Sequence, residues 1–423
     1  MLEASTRPRP RGFEPSEIST LVNRPVVQIH AGEAAFLWTQ RQQAVQAPHY
    51  QLEHLAKLDE RVEAHLQALR LAGSVGERVV QAQLAQGEAG GVFVAAWLAM
   101  GASEQQAMRH VLALGLGDPA FEPALLAALL WLDADASGHA LRGSQTGHPQ
   151  HRRLALAVAA GHRRDPAAGL VRALQDPDDA VRAQALRAAG ELVRHDLMDT
   201  LRAHREESHP ECRFWANWSL TLLGDSDGPM ALADAVSKLP QRAGLAVDVG
   251  VRCAHPALAK EWIRDLAQTA DTLRLAIRAV GAHGDPRTVD WLIERMDDPL
   301  LARVAGEAFS TITGADLRYL DLNRDAPAET ATEAPAQSAE DDNLPWPDRE
   351  AIARWWAQGR SRMPSVGRCL GGAAVSLESA ARLLRDGFQR QRRAAAIEAV
   401  RLGAKTLFPV EQRASRQQHL LAA

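Results

Sequence analysis

The chain has 423 residues, of which 46% are hydrophobic but only 5% aromatic, and its 48 Lys/Arg against 52 Asp/Glu leave a net charge of −4. That length supports a large core spread over two or three domains, and abundant alanine with few aromatics suits thin, closely packed helices. The longest apolar run, Ala124 to Leu132, is about nine residues, far below the roughly 20 of a spanning helix. Cys212, Cys253 and Cys369 stand singly with no CxxC spacing, which argues against a disulfide framework or a structural zinc and for a reducing compartment.

Residues 1–21 open with Arg7, Arg9 and Arg11 among prolines and carry no apolar core, so they read as a disordered tail and not a secretory signal. An N-terminal helical cap is expected over 22–86. It divides at Pro48, and its second half sets Leu55, Leu58, Val62, Leu66 and Leu69 at gaps of three and four, one apolar stripe on a helix. Too few heptads are present for a stable coiled coil, so the stripe is expected to cover the first unit of a repeat region that begins at residue 87.

Over 87–320 a pattern returns about every 30 residues: an apolar helix face with an arginine near its start and a glycine just past its end. The clearest copies begin at Asp179, Glu211, Asp271 and Leu300 and put Arg182, Arg213, Arg274 and Arg303 in equivalent places; weaker copies lie around Arg153 and Arg242, and near Val92 and Pro123. A short helical pair cannot bury its apolar faces alone and must stack on its neighbours, so the period predicts an all-α solenoid of roughly eight helical-hairpin repeats. Asp-Pro pairs at 118, 165, 176, 285 and 298 should open helices, Asp as N-cap and Pro as first helical residue. Between Asp285 and Phe309 the reading is a first helix Arg287–Met296, a turn, and a second helix carrying Arg303.

An acidic linker occupies 321–345; Asp321 to Pro347 holds seven acids and one arginine. Residues 346–423 form a basic helical C-terminal module, with helices expected at Arg349–Gln358, Ser376–Arg385 and Phe388–Leu402; from Asp348 onward fourteen Arg/Lys face six Asp/Glu. A basic end tied to an acidic body implies internal docking or an acidic partner. Trp346, Trp355 and Trp356, with Arg390, Arg392 and Arg393, are the candidate partner-binding residues. Arginines interleaved with alanine around a helix are a weak nucleic-acid signal, and a solvated face accounts for them.

Catalytic motifs do not assemble. His139, His148, His151 and His162 lack the i, i+4 spacing of a metal site and lie among glycines. His30 and Glu33 share a helix face, a spacing usual for surface contacts. Gly87-Glu-Ala-Gly-Gly91 has neither the lysine nor the hydroxyl of a phosphate loop and reads as an inter-helix turn. No catalytic residue, metal or cofactor is therefore assigned.

With an Asp in the turn and an Arg in the second helix, these units resemble HEAT repeats, which implies ladders between successive units; Asp176 or Asp178 with Arg182, and Asp298 with Arg303, fit that arrangement. The stretches Val27–Trp38, Ala47–Tyr50, Leu55–Leu66, Trp346–Asp348, Trp355-Trp356 and Phe388–Glu398 also resemble an uncharacterised bacterial family of HEAT-repeat proteins encoded near type VI secretion gene clusters. That resemblance implies a cytoplasmic accessory or adaptor whose partner is a secretion component or effector, and carries over no catalytic residue. The resulting expectation is a non-catalytic protein–protein interaction scaffold. The alternatives are a nucleic-acid-binding protein or enzyme on a DNA-glycosylase-like scaffold, for which a net-negative repeat region is a poor fit, and a self-assembling structural component.

Overall fold

The computed structural model describes residues 22–102, 105–142, 147–326, 338–364 and 367–422; the tail expected over 1–21 and the middle of the acidic stretch, 327–337, lie outside them. Among the described residues the chain is helical nearly throughout, and extended backbone is confined to two short antiparallel ladders: β1 (Asn323–Arg324) with β2 (Trp346–Pro347), and β3 (Cys369–Leu370) with β4 (Ala373–Ala374). Two compact units divide it, one made of residues up to Arg41 with Lys57–Leu132, the other of Gln42–Ala56 with Asp133 onward.

Helices α1 (Arg24–Ala44) and α2 (Leu52–Leu71) flank the break at Pro48, followed by α3 (Ser74–Leu84), α4 (Ala89–Ala102), α5 (Gln105–Gly117) and α6 (Glu122–Trp131). The α2 stripe is buried at all five predicted positions. In the first unit Trp38 stacks on Phe93 with ring centroids 5.0 Å apart, and Phe93 meets the edge of Trp131 at 5.5 Å. Buried Arg41 donates to Asp59 at 3.0 Å, and the Trp131 indole N–H donates to Glu63 at 2.8 Å, so these two polar groups taken into the core keep partners. Gly90 and Gly91 belong to α4 and not to a turn. A Cβ at Gly90 would lie 2.7 Å from the Ala35 carbonyl, so glycine lets α4 pack against α1.

The second unit continues with α7 (Ala134–Ala140), α8 (Pro149–Gly161), α9 (Ala168–Ala173), α10 (Asp179–Glu191), α11 (Met198–Ala203), α12 (Pro210–Leu222), α13 (Gly228–Lys238), α14 (Ala243–Cys253), α15 (Pro256–Leu266), α16 (Ala270–His283), α17 (Val289–Arg295) and α18 (Ala302–Thr313). Each of α8, α10, α12, α14 and α16 packs on the next in that series, ending at α18, while the shorter helices between them pair with their sequence neighbours. These are the helices that carry the sequence period. The repeat glycine has a different job from a helix stop at two positions: Gly190 and Gly281 lie inside α10 and α16, where a Cβ would meet Ser219 Oγ at 2.4 Å and Ala308 Cα at 3.0 Å. They permit close helix approach.

All five Asp-Pro pairs use the aspartate differently from a simple N-cap. Its carboxylate accepts the N–H two residues on, at Ala120, Ala167, Asp178, Arg287 and Leu300, at 2.8–3.1 Å, and the α-helix starts three or four residues after the aspartate. The Asx turn consumes the acceptor before the helix begins. Asp178, one residue past Pro177, is the actual cap of α10 and accepts from Ala180 and Val181. The expected Arg287–Met296 helix is for the same reason a 3-10 turn, Pro286–Thr288, leading into α17.

Residues after the acidic stretch form α19 (Arg349–Gly359), α20 (Leu377–Asp386), α21 (Gln389–Arg401) and α22 (Ala414–Ala422). Those from Leu370 onward share a small core of Leu370, Ala380, Leu383, Leu384, Ala395 and Val410 and send Ile397 and Val400 into the α8–α16 core, while Ile352 and Trp356 of α19, with Cys369, enter the core of α16–α18. The main chain docks as well: Cys369 N–H donates to Gly284 O at 2.7 Å and Gly371 N–H to Thr311 O at 2.8 Å. Gly284 is left-handed at φ 74°, and a Cβ there would lie 2.3 Å from the Cys369 carbonyl. Glycine at the end of α16 therefore both stops the helix and admits the C-terminal segment.

Candidate ligand groove

Four helices of the second unit set charged residues at helical spacing toward one space. Asp248 and Arg252 come from α14, Arg274, Arg278 and Gly281 from α16, Glu307 and Thr311 from α18, and Arg390, Arg393 and Ile397 from α21; they line a cavity of about 430 Å³. The i, i+4 and i, i+7 intervals put each set on one helix face. Ala339 and Glu340 of the Ser338–Asp342 strap also line it, and the strap's Ala339–Asp341 turn is started by the Ser338 hydroxyl accepting from Glu340 N–H.

The arginines are held in defined geometry. Arg278 grips Asp248 through two bonds of 3.0 and 2.8 Å and reaches Glu340 of the strap at 3.3 and 3.4 Å. Arg390 grips Glu307 at 2.8 and 2.7 Å and donates to the Gln46 carbonyl at 3.0 Å and the Glu340 carbonyl at 2.7 Å. Arg274 makes a two-point pair with Asp341, and Arg303 donates to the Asp341 carbonyl at 3.1 Å. Burial pulls Asp248 upward, but the Arg278 guanidinium outweighs it and holds the carboxyl below its ordinary range. At Glu307 burial prevails over Arg390, and its carboxyl is raised. Arg252 is only 6% exposed; burial lowers its pKa, and its Nε finds no hydrogen-bond partner.

Below the cavity lies a buried charge cluster. The fully buried Glu398 of α21 accepts from Arg368, from Arg401 at 2.7 Å, and pairs with Arg252 at 3.6 Å. Arg368 in turn donates to the carbonyls of Arg252 and His283 at 2.8 Å, so one carboxylate ties α21 to the ends of α14 and α16.

The candidate partner-binding residues all have positions inside the same unit. Trp346 is buried with Arg303 stacked over its ring at 5.0 Å; Trp355 meets the edge of Phe309; Trp356 is buried and donates to Asp290 at 2.9 Å. Arg392 is wholly buried and donates to the Leu384 carbonyl at 2.7 Å, Gln389 and Gln417. Arg393 holds Gln46, the Val45 carbonyl and Glu411. Of the six, Arg390 and Arg393 line the cavity.

The ladder residues form pairs displaced by one unit from those expected. Asp176 gives its carboxylate to Arg152 of the preceding buried helix, at 2.7 and 2.8 Å, while Arg182 takes the Asp176 carbonyl at 2.8 Å and reaches forward to Glu207. Arg213 takes the Glu207 carbonyl at 3.0 Å in the same way. Asp298 caps its own turn, and Arg303 turns to Asp341. Arg152 and Arg182 share one device, donating to a turn carbonyl and taking an acid from the next turn, whereas Arg274 reaches the Leu300 carbonyl of the next turn and, like Arg303, takes its acid, Asp341, from the strap.

Asp179, Glu207 and Cys212 are the one group among the described residues whose ligand atoms gather as a metal would require. The Arg182 guanidinium donates to both carboxylates, so a cation already stands between them, and burial pushes the Cys212 thiol up to about 11. Of the histidines at 139 and 162, the first pairs with Arg142 and the second with Ser137. His30 faces His65, Nδ1 to Nδ1 at 2.9 Å.

Asp248, Arg278 and Glu307 escaped the sequence reading. Their signal was present: a charged residue one turn from another, on helices whose remaining stripe is Ala, Val and Ile. No protein-family model, curated protein or solved structure matches this chain.

Proposed function

We propose that the chain is a non-catalytic protein–protein interaction scaffold or adaptor, built as a HEAT-like α-solenoid of roughly eight repeats and working by stoichiometric binding without turnover. The observation that carries this reading is the succession α8, α10, α12, α14, α16 and α18, each helix packed on the next, with Arg152 of α8 and Arg182 of α10 each reaching forward to an acid in the turn that precedes the next helix of the series. Nearest-neighbour stacking of this kind exposes one flank of every unit, and the surface it builds is extended. The resemblance of the Val27–Trp38 and Phe388–Glu398 stretches adds a cytoplasmic setting and a secretion component or effector as partner. Against a nucleic-acid partner, Arg390, Arg392, Arg393 and Arg401 already donate to acceptors of this chain, and phosphate would have to displace them.

Affinity capture of the tagged full chain from its native host, with and without nuclease, tests the reading. Stoichiometric recovery of one protein partner, insensitive to nuclease, is expected. Nuclease-sensitive recovery, or concentration-dependent self-assembly with no partner, overturns it.

A further inference from the structure

The strap Ser338–Asp342 puts Ala339 and Glu340 at the cavity wall and is held there as a peptide ligand would be. Guanidinium groups of the described helices hold it, and they use both kinds of acceptor that an acidic peptide offers. Arg390 and Arg303 read the main-chain carbonyls of Glu340 and Asp341, while Arg278 and Arg274 read the two carboxylates. Paired guanidiniums facing successive carbonyls and carboxylates are the usual way proteins hold acidic motifs.

Three observations separate this arrangement from an ordinary tethered loop. The two acidic residues are unequally seated: Asp341 is buried, whereas the Glu340 side chain is 63% exposed and stands at the long end of hydrogen-bond distance from Arg278. An ion pair that open to water contributes between nothing and about 1 kcal/mol, so it is readily exchanged. The cavity is also not filled by the strap, and Arg252, at 6% exposure, presents an Nε without a hydrogen-bond partner among its lining residues. A buried donor of that kind is costly to leave unmet. Finally, five arginines of the lining face three carboxylates, and one of those three is Glu340 itself. Asp248, Glu307, Glu398 and Glu411 answer four of these arginines, so moving the strap away leaves Arg274, with Arg303 beside it, without a carboxylate partner.

We propose that this groove is a binding site for an acidic peptide segment of a partner protein, and that the Glu340-Asp341 strap is a resident pseudo-ligand which such a segment displaces. The proposal deepens the scaffold reading and rests on it. Tethering gives the strap a high effective concentration, so a free peptide sees only the fraction of molecules whose groove is open. Neutralising the strap should raise apparent affinity by the reciprocal of that fraction, about tenfold where the strap is seated roughly nine-tenths of the time.

The test is fluorescence anisotropy with a labelled peptide Ser-Ala-Glu-Asp-Asp-Asn-Leu, the sequence of Ser338–Leu344, titrated with full-length wild-type chain and with the double variant Glu340→Gln/Asp341→Asn. At low salt the double variant should bind about tenfold or more tightly than wild type, lose affinity as salt rises, and ignore a peptide with Gln and Asn in place of the acids. Glu340→Gln alone, altering an exposed side chain and leaving the buried anchor, should show a smaller gain in the same direction; it guards against misfolding of the double variant. Arg278→Gln in the double variant should abolish the gain. Equal affinity for wild type and both strap variants, no binding to either folded variant, or preference for a single-stranded oligonucleotide over the acidic peptide would overturn the proposal. Capture from the host tests the scaffold reading without this peptide, so either can fail while the other stands.

Discussion

Glu398→Ala is the perturbation that best weighs the attachment of the C-terminal helices. The carboxylate is completely buried, and with it gone Arg252 and Arg368 stay in the interior with carbonyl partners and lose their shared anion, leaving Arg252 only the more distant pull of Asp248. Breaking a buried pair from one side costs roughly 3–5 kcal/mol, because the surviving charge is uncompensated. Glu398→Gln keeps volume and one acceptor oxygen, and should lose about 2 kcal/mol, the worth of a hydrogen bond to a charged group. Burial pulls Glu398 up, but Arg368, Arg252 and Arg401 outweigh it and hold it below the ordinary carboxylate range. The stability it lends is thus present above that range and lost as pH falls through the lowered value, and the Gln variant should lack this component. Urea unfolding followed by far-UV circular dichroism is the assay; with a slope of about 3 kcal/mol per molar, the Ala variant should unfold on the order of 1 M earlier. Glu411→Ala is the control, since that carboxylate is mostly exposed in its pair with Arg393 and is worth under about 1 kcal/mol. If Glu398→Ala costs no more than Glu411→Ala, the buried cluster does not fasten α21 and the reasoning is wrong.

His283 is buried at the end of α16, and burial, followed by Arg368, lowers its pKa to about 4. A base lowered in the folded state costs stability as pH falls from about 6.5 toward 4, about 2 kcal/mol by pH 5; His283→Gln should flatten the midpoint difference between pH 7 and pH 5, and an unchanged slope would refute the assignment. Gly224 and Gly284 are both left-handed, but only at Gly284 does backbone block a Cβ. Gly224→Ala should therefore cost about 1 kcal/mol, and Gly284→Ala more than about 3, because the Cys369 main chain must move. Equal thermal shifts for the two variants would mean that the segment at Cys369 is not seated on α16.

The helical class, the break at Pro48, the α2 stripe and the period that recurs near 179, 211, 271 and 300 were all legible, because each rests on local rules: side-chain spacing, proline geometry and amphipathic burial. The functional roles of charged residues were not. Arg182 and Asp176 lie six residues apart and looked like a pair, yet Asp176 belongs to Arg152, 24 residues earlier, because stacking brings a turn beside the preceding buried helix. Arg392 and Arg393 are adjacent on a basic helix, but one is wholly buried and the other meets Glu411 and Gln46. A helix face becomes interior or surface only when another element covers it.

What the amino-acid sequence by itself determined was therefore the element type and its period, since hydrophobic spacing acts within one or two turns. Which acid answers which arginine, that an acidic strap supplies Asp341 to both Arg274 and Arg303, and that Asp248, Arg278, Glu307 and Arg390 face one cavity were decided only by the tertiary structure. Coulombic and hydrogen-bonded partners are chosen by distance in space, and here residues as far apart as Glu307 and Arg390 are brought within 2.7 Å.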